Sequence, residues 1–368
     1  MTALSVGLVG PLPPPSGGMA NQTLQLAGLL RGAGIEVETV QVNADYRPAW
    51  TGRIRGVRAL VRLLPYLLRL WRTAGRVQLF HVMANSGWSW HLFVAPAIRI
   101  ARLRGTPVVV NYRGGEAAAF FARAWPRVAA SLARADAVIV PSGFLETVFG
   151  QYGFATQVVP NIVDLERFAA ATRGTAVAGP RLLVARNLEA IYDNATALRT
   201  LALVRETHPT ATLVIAGSGP LHAVLEALAA TLNLREAVTF TGRVDNAGMA
   251  ALYRAADVML NCSLVDNTPN SVLEALASGV PVVSTNVGGV PYLVEDGRTA
   301  LLVPPAAPRA MADAVLRLVA EPALAAALRE AGLRQVQQYT WASVRPQLLG
   351  VYQAVLAERA ATAAVSRP

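Results

Sequence analysis

No lysine occurs in the sequence: all 33 of its basic residues are arginine. A Schiff-base or other lysine-centred mechanism is excluded. With a single cysteine, Cys262, an intramolecular disulfide and a cysteine-based metal site are excluded as well. Nothing therefore points to an oxidising compartment, and the cytoplasm is the expected location. The four histidines, His81, His91, His208 and His222, are scattered without ligand spacing, and no Asp-x-Asp is present to clamp a metal onto a diphosphate. Metal-independent chemistry without a resident cofactor is expected. Charged residues make up only 15% of the chain and hydrophobic residues 53%, which excludes a disordered polymer. No charge-free apolar run reaches the roughly 18 residues of a spanning helix. The opening MTALSVGLVGPLPPP lacks a basic leader and is broken by prolines, so it reads as a buried strand rather than a signal peptide.

What is present is a repeated α/β pattern. A length of 368 residues predicts two domains. Apolar runs at Leu4 to Val9, Val37 to Val42, Leu79 to Val82, Val108 to Asn111 and Ala137 to Val140 alternate with helical patterns. After Ala169 to Pro180 the pattern restarts, with runs at Arg181 to Ala185, Thr212 to Ala216, Ala237 to Phe240, Val258 to Asn261, Val280 to Ser284 and Ala300 to Val303. Two doubly wound parallel sheets are expected, with ligands beyond the carboxyl ends of their strands in a cleft between the halves.

Charge divides unevenly. Residues 1–170 hold 17 arginines against 8 acids, and residues 171–368 hold 16 against 15. Much of the excess lies in RIRGVRALVRLLPYLLRLWRTAGR, residues 53–76, which has seven arginines and no acid. At helical spacing Arg55, Arg58, Arg62, Arg69, Arg72 and Arg76 share one face, while Leu60, Leu63, Leu64, Leu67, Leu70 and Trp71 face away. Pro65 is expected to kink or split the segment. The segment is either a helix packed by its leucines or a contact with anionic lipid or an anionic acceptor. No nucleic-acid motif accompanies the charge.

The most informative stretch is DNTPNSVLEALASGVPVVST, from Asp266 to Thr285. Pro269 suits a helix's first turn, Asn267 or Thr268 its cap, and Ser278-Gly279 its end before a strand. The helix start, with free amides and a positive dipole end, favours a phosphate. Glu274 lies one to two turns in, and Asp266 precedes it on the loop.

These residues resemble glycosyltransferase family 4, retaining nucleotide-sugar glycosyltransferases of the GT-B type fold. The family pattern of an acid, seven residues, Glu, Ala, a small residue, Gly and Pro-Val-Val is met by Asp266, Glu274, Ala275, Ala277, Gly279, Pro281, Val282 and Val283. The resemblance implies that Glu274 binds the ribose hydroxyls and that Asp266 lies against the transferred sugar, with Asn267, Thr268, Asn270, Ser271 and Leu273 as donor contacts. It implies an N-terminal acceptor-binding domain over 1–168, with a C-terminal helix at about 346–368 packing back onto it, and a donor-binding domain over 169–345. Gly17 and Gly18 fill the first strand-to-helix loop, and VPNIVDLERF, Val159 to Phe168, resembles the family's hinge. Arg186 takes the arginine position that neutralises the donor diphosphate, whereas Tyr192 stands where the family has lysine. Gly217 and Gly219 match the Gly-x-Gly-Pro loop, and Arg243 and Val244 the segment whose backbone holds the base. Asp266 is one methylene shorter than the usual Glu. Arg113 stands where relatives have a cleft-facing histidine; guanidinium is no base, so Arg113 or Glu116 would position the acceptor while a donor phosphate oxygen takes the acceptor proton.

The reaction implied is transfer of a sugar from a UDP- or GDP-sugar to a lipid-linked, polysaccharide or other envelope acceptor, on the inner face of the plasma membrane if residues 53–76 bind it. The alternatives are a GT-B type nucleotide-sugar epimerase and a non-catalytic sugar-nucleotide-binding subunit. A nicotinamide oxidoreductase is disfavoured because GLVGPLPPPSGG lacks Gly-x-Gly-x-x-Gly.

Overall fold

The computed structural model describes residues 4–14, 17–44, 57–170 and 179–365, without the side chains of 57–61 and 363–365. Within these residues the chain forms two compact units, 1–160 with 344–368, and 161–343.

In the first unit the strands are β1 (Ser5–Gly10), β2 (Glu36–Gln41), β3 (Leu79–Ala84), β4 (Val108–Tyr112), β5 (Ala137–Val140) and β6 (Gln157–Val158). All are parallel, in the order β2-β1-β3-β4-β5-β6. Every residue of β3 and β4 is buried, which explains why these strands are continuous apolar runs rather than alternating ones. The intervening helices are α1 (Gly18–Gly32), α2 (Val57–Ala74), α3 (Ala95–Leu103), α4 (Ala117–Leu132) and α5 (Gly143–Gly150); a π-helical turn, Trp90–Val94, leads into α3. Aromatic rings fill the core around Phe121, whose centroid lies 4.8 Å from Phe149 and 5.2 Å from Tyr112.

The second unit repeats the design. Its strands are β7 (Arg181–Ala185), β8 (Thr212–Ala216), β9 (Val238–Gly242), β10 (Val258–Asn261), β11 (Val282–Thr285) and β12 (Leu301–Val303), ordered β12-β11-β10-β7-β8-β9. Between them run α6 (Asn194–Arg205), α7 (His222–Thr231), α8 (Asn246–Ala255), α9 (Asn270–Ala277) and α10 (Val290–Leu293), followed by α11 (Pro308–Ala320) and α12 (Pro322–Gln335). The last helix, α13 (Trp341–Val365), belongs to the first unit from Val344 onward. There the Tyr352 hydroxyl meets His81 Nδ1 at 2.7 Å, and Arg359 Nε donates to Asp136 Oδ1 at 2.7 Å.

The units divide after Pro160, eight residues before the boundary at 168 read from sequence. Hydrogen bonds set that point: the Val163 amide donates to Tyr339 O at 2.9 Å, and Asn161 Nδ2 donates to Thr268 O at 3.2 Å. Both tie 161–168 to the second unit.

Helix α2 corrects two expectations. It runs without a break through Pro65, so the proline does not split it into two helices. Its buried stripe is Tyr66, Leu70, Thr73 and Ala74, whereas Leu64, Leu68 and Trp71 are exposed. The buried face is fixed by polar anchors that a leucine count misses: Tyr66 Oη donates to Phe93 O at 2.8 Å, and Thr73 Oγ1 to Glu38 Oε1 at 2.5 Å. The expected positions Arg55, Arg58 and Leu60 lie outside the described side chains.

Candidate functional site

A doubly wound sheet binds ligands where its strand order reverses, beyond the carboxyl ends of the two strands that flank the reversal. In the second sheet those strands are β7 and β10. Arg186 directly follows β7 and Asn261 ends β10; Arg186 Nε donates to Asn261 Oδ1 at 3.1 Å. The other arm of the guanidinium pairs with Asp266 Oδ2, and the two side chains are only 12% and 10% exposed. The guanidinium carbon lies 5.0 Å from the centroid of the Tyr192 ring, a cation–π contact. Tyr192, in the position where the family has lysine, thus stands beside Arg186 and braces it rather than adding a second charge. Glu189, three residues further on, accepts from Asn187.

The loop carrying Asp266 is held on three sides. Asp266 Oδ1 accepts the Asn267 amide at 3.0 Å, and Asp266 O accepts the Gly289 amide at 3.0 Å. Asn161 Nδ2 reaches both Thr268 O and Asn270 Oδ1, the latter at 2.8 Å. Gly288 (φ +50°) and Gly289 press against this loop: a Cβ on Gly289 would sit 2.0 Å from Asn267 O, and one on Gly288 2.1 Å from Asp266 O. Gly289→Ala, whose backbone conformation alanine tolerates, is therefore expected to cost about 1–3 kcal/mol through overpacking. Thermal unfolding checks this, and turnover should fall with it because the displaced backbone carries Asp266.

Helix α9 begins one residue later than the sequence suggests. Pro269 is its N-cap rather than a residue of its first turn, and its own side chain makes no capping hydrogen bond. Proline fits because the cap backbone is extended, at φ −66° and ψ 112°. The Val272 and Leu273 amides bond back to Pro269 O at 3.1 and 3.3 Å. Helix geometry leaves the amides of Asn270 and Ser271 without intrahelical acceptors. The Ser271 hydroxyl is buried with no partner among the described residues. Leu273, by contrast, packs into the hydrophobic core, so its side chain offers a ligand nothing.

Glu274 lies behind this helix start. Its Oε2 accepts the Tyr253 hydroxyl at 3.0 Å, and Ser271 O, 3.1 Å from the same hydroxyl, shares that single proton. Burial pushes the Glu274 carboxyl up to about 7, although the Tyr253 hydrogen bond and the charges of Arg186 and Arg167 pull it down. Asn161, Tyr253, Gly288 and Gly289 are supports that sequence reading missed. Asn161 lies within the hinge motif, and the glycine pair within the STNVGGVPYL segment.

Gly217 and Gly219 serve packing: a Cβ on either would lie within 2.4 Å of the carbonyl oxygen of Arg186 or Leu188. They fix the chain that carries Arg186. Arg243 Nε donates to Ser218 Oγ at 2.9 Å, and Val244 is half-buried beside Gly248.

In the first unit Gly17 caps α1 and Gly18 opens it, and a Cβ on either would meet no atom within 4 Å among the described residues. Arg113 follows β4 and donates to Asn111 Oδ1 at 3.1 Å and to Gln22 Oε1. Burial lowers its pKa to about 10. Asn111 Nδ2 lies 3.1 Å from His81 Nε2; because that amide nitrogen donates, Nε2 accepts and Nδ1 carries the proton toward Tyr352. Burial and the Arg113 charge lower the His81 pKa to about 3, so the ring is neutral. Glu116 stands exposed at the N-cap of α4.

Two family models match the sequence: "Glycosyltransferase Family 4" over residues 16–167 and "Glycosyl transferases group 1" over 179–321. Glycogen synthase of Mycobacterium tuberculosis is 29% identical over 276 residues, 72% of this chain and 67% of that protein. D-inositol 3-phosphate glycosyltransferase of Acidothermus cellulolyticus is 34% identical over 204 residues, 53% of this chain and 45% of that one. Among solved structures, sucrose-phosphate synthase from Thermosynechococcus elongatus superposes with a TM-score of 0.76 at 22% identity, covering 96% of this chain and 100% of its own. Anabaena Alr3699/HepE in complex with UDP gives 0.75 at 18% identity, covering 95% and 100%.

Two parallel six-stranded sheets of this topology, matched to those structures, define a GT-B fold. The chain belongs to glycosyltransferase family 4 and is a retaining, nucleotide-sugar-dependent glycosyltransferase.

Proposed function

We propose that the second unit binds a UDP- or GDP-sugar and that the first unit presents a lipid-linked or polysaccharide acceptor of the cell envelope. One observation carries the donor assignment: Arg186, Asp266, Glu274 and the start of α9 gather at the reversal point of the second sheet. A guanidinium and a helix amide end are what a leaving diphosphate needs as negative charge accumulates on it. The ionised Glu274 carboxylate receives the ribose hydroxyls, and Asp266 stabilises positive charge on the sugar ring. Asn267, Thr268, Asn270 and Ser271 line the sugar side, and Arg243 and Val244 the base. The acceptor hydroxyl passes its proton to a donor phosphate oxygen, so His81, neutral and held on both nitrogens, takes no part. Relatives with bound UDP and UDP-glucose support the donor class.

The acceptor setting rests on the first unit's charge. Residues 46–115 hold 12 arginines and no acid. On and just after α2 and α3, exposed Leu64, Leu68, Trp71 and Leu103 lie among exposed Arg69, Arg72, Arg76 and Arg104, with Arg104 stacked 4.8 Å from the Trp71 ring centroid. Apolar side chains interspersed with cations that form no ion pair among the described residues suit an anionic bilayer surface. No helix among the described residues is long and apolar enough to cross one. At about 1 kcal/mol per basic residue near the surface, the R69Q/R72Q/R76Q variant should bind phosphatidylglycerol vesicles about 100-fold more weakly in sedimentation assays. Unchanged binding would remove this surface from the account.

Incubation with radiolabelled UDP- and GDP-sugars and a membrane lipid extract tests the function. Label transferred to lipid supports it; donor binding without turnover supports a non-catalytic subunit, and sugar rearrangement without acceptor an epimerase.

A further inference from the structure

The first sheet reverses its strand order between β1 and β3. At the carboxyl ends of those strands lies a cavity of about 280 Å³ that no step above uses. It sits just below the roughly 300–1,000 Å³ of ordinary ligand sites and where a doubly wound sheet accepts one. Val9, Val42, Met83, Phe93 and Val94 form apolar walls, and Arg62 of α2 supplies a cation.

Two of the polar side chains around it are committed inward and a third in part. Asn43 holds Leu12 O and Pro14 O through Nδ2 and the Leu12 amide through Oδ1. Tyr66 Oη donates to Phe93 O, and Asn85 Oδ1 accepts the Ser86 amide. A bare sugar needs several polar partners to replace its water, and the wall formed by the described residues is mainly apolar. An alkyl segment needs only shape and apolar contact. The cation at the wall adds a place for an anion.

We infer that this cavity takes the apolar segment of an amphiphilic acceptor whose anionic group meets Arg62. The inference rests on the glycosyltransferase reading and specifies the acceptor's chemistry: an alkyl or isoprenoid phosphate-type amphiphile rather than a free saccharide. Helix α2 then serves two purposes, with Arg62 and Tyr66 on the cavity and Leu64, Leu68 and Trp71 outside it.

The probe is decyl phosphate below its micelle concentration, titrated calorimetrically against the full chain, with inorganic phosphate and decanol as single-feature controls. Decyl phosphate should bind about tenfold or more tightly than either control. Val42→Trp, which fills the cavity from its partly exposed rim, should weaken decyl phosphate about tenfold or more while leaving UDP- and GDP-sugar affinity unchanged. Arg62→Gln should weaken decyl phosphate but not decanol, and reports even if the tryptophan variant fails to fold. Decyl phosphate binding no tighter than phosphate, or binding lost in R69Q/R72Q/R76Q and kept in Val42→Trp, overturns the inference by assigning any affinity to the outer basic face. Donor titrations on the same preparation separate the two readings: activated-sugar binding without decyl phosphate binding refutes only this one, and the reverse result refutes only the donor site.

Discussion

Arg186→Ala is expected to lower kcat/KM about 100- to 1,000-fold, the loss that follows removal of one preorganised charge-stabilising donor. Melting temperature should fall as well, because Asp266, 10% exposed, would be left buried without its counter-ion. Breaking such a pair from one side costs about 3–5 kcal/mol. The loss of stability comes from the ion pair with Asp266, a partner 80 positions away that spacing along the sequence does not indicate. A second substitution separates the two losses. In Arg186→Ala/Asp266→Asn the buried carboxylate is gone, so much of the melting temperature should return while turnover stays low. Recovery of turnover in the double variant would show that Arg186 acts only by neutralising Asp266.

Donor affinity should fall by up to about tenfold per unit as pH drops below about 7. The cause is Glu274, whose carboxyl burial raises to about 7 and which must be ionised to accept the ribose hydroxyls. For the protein without donor the sign is opposite. An unfolded Glu titrates near 4.3, so between about 4.3 and 7 the folded state binds more protons, and stability declines as pH rises through that window. Calorimetric donor affinities and melting temperatures at pH 5, 6, 7 and 8 measure both slopes. Tyr253→Phe should move the affinity midpoint upward, because the lost hydrogen bond had favoured the ionised carboxylate. Glu274→Gln should flatten the profile. A pH-independent affinity in the unaltered protein would remove Glu274 from donor recognition.

Much of the fold was legible because parallel strands buried on both faces leave unambiguous apolar runs. Arg181 to Ala185, Thr212 to Ala216 and Ala137 to Val140 match β7, β8 and β5 residue for residue. The two-residue β6 is too short to leave such a signal. The orientation of α2 was not legible because Tyr66 and Thr73 turn inward to hydrogen-bond, which displaces Leu64 and Trp71 to the surface.

At the site, residues close in sequence were read together correctly as one helix start, but their supports come from far away. Asn161 reaches Thr268 across 107 positions, and Arg186 reaches Asp266 across 80. Arg186 and Asn261 do obey a rule visible beforehand, since both stand at the carboxyl ends of runs recognisable as strands. What the pattern could not supply is the strand order that makes those two ends neighbours.

Titrating the unaltered protein and Arg186→Ala with a panel of UDP- and GDP-sugars tests the donor site most directly. The account predicts that at least one activated sugar binds the unaltered protein within about 1 μM–1 mM and binds the variant at least about tenfold more weakly. No uptake of any sugar, or equal affinity for both proteins, would contradict it.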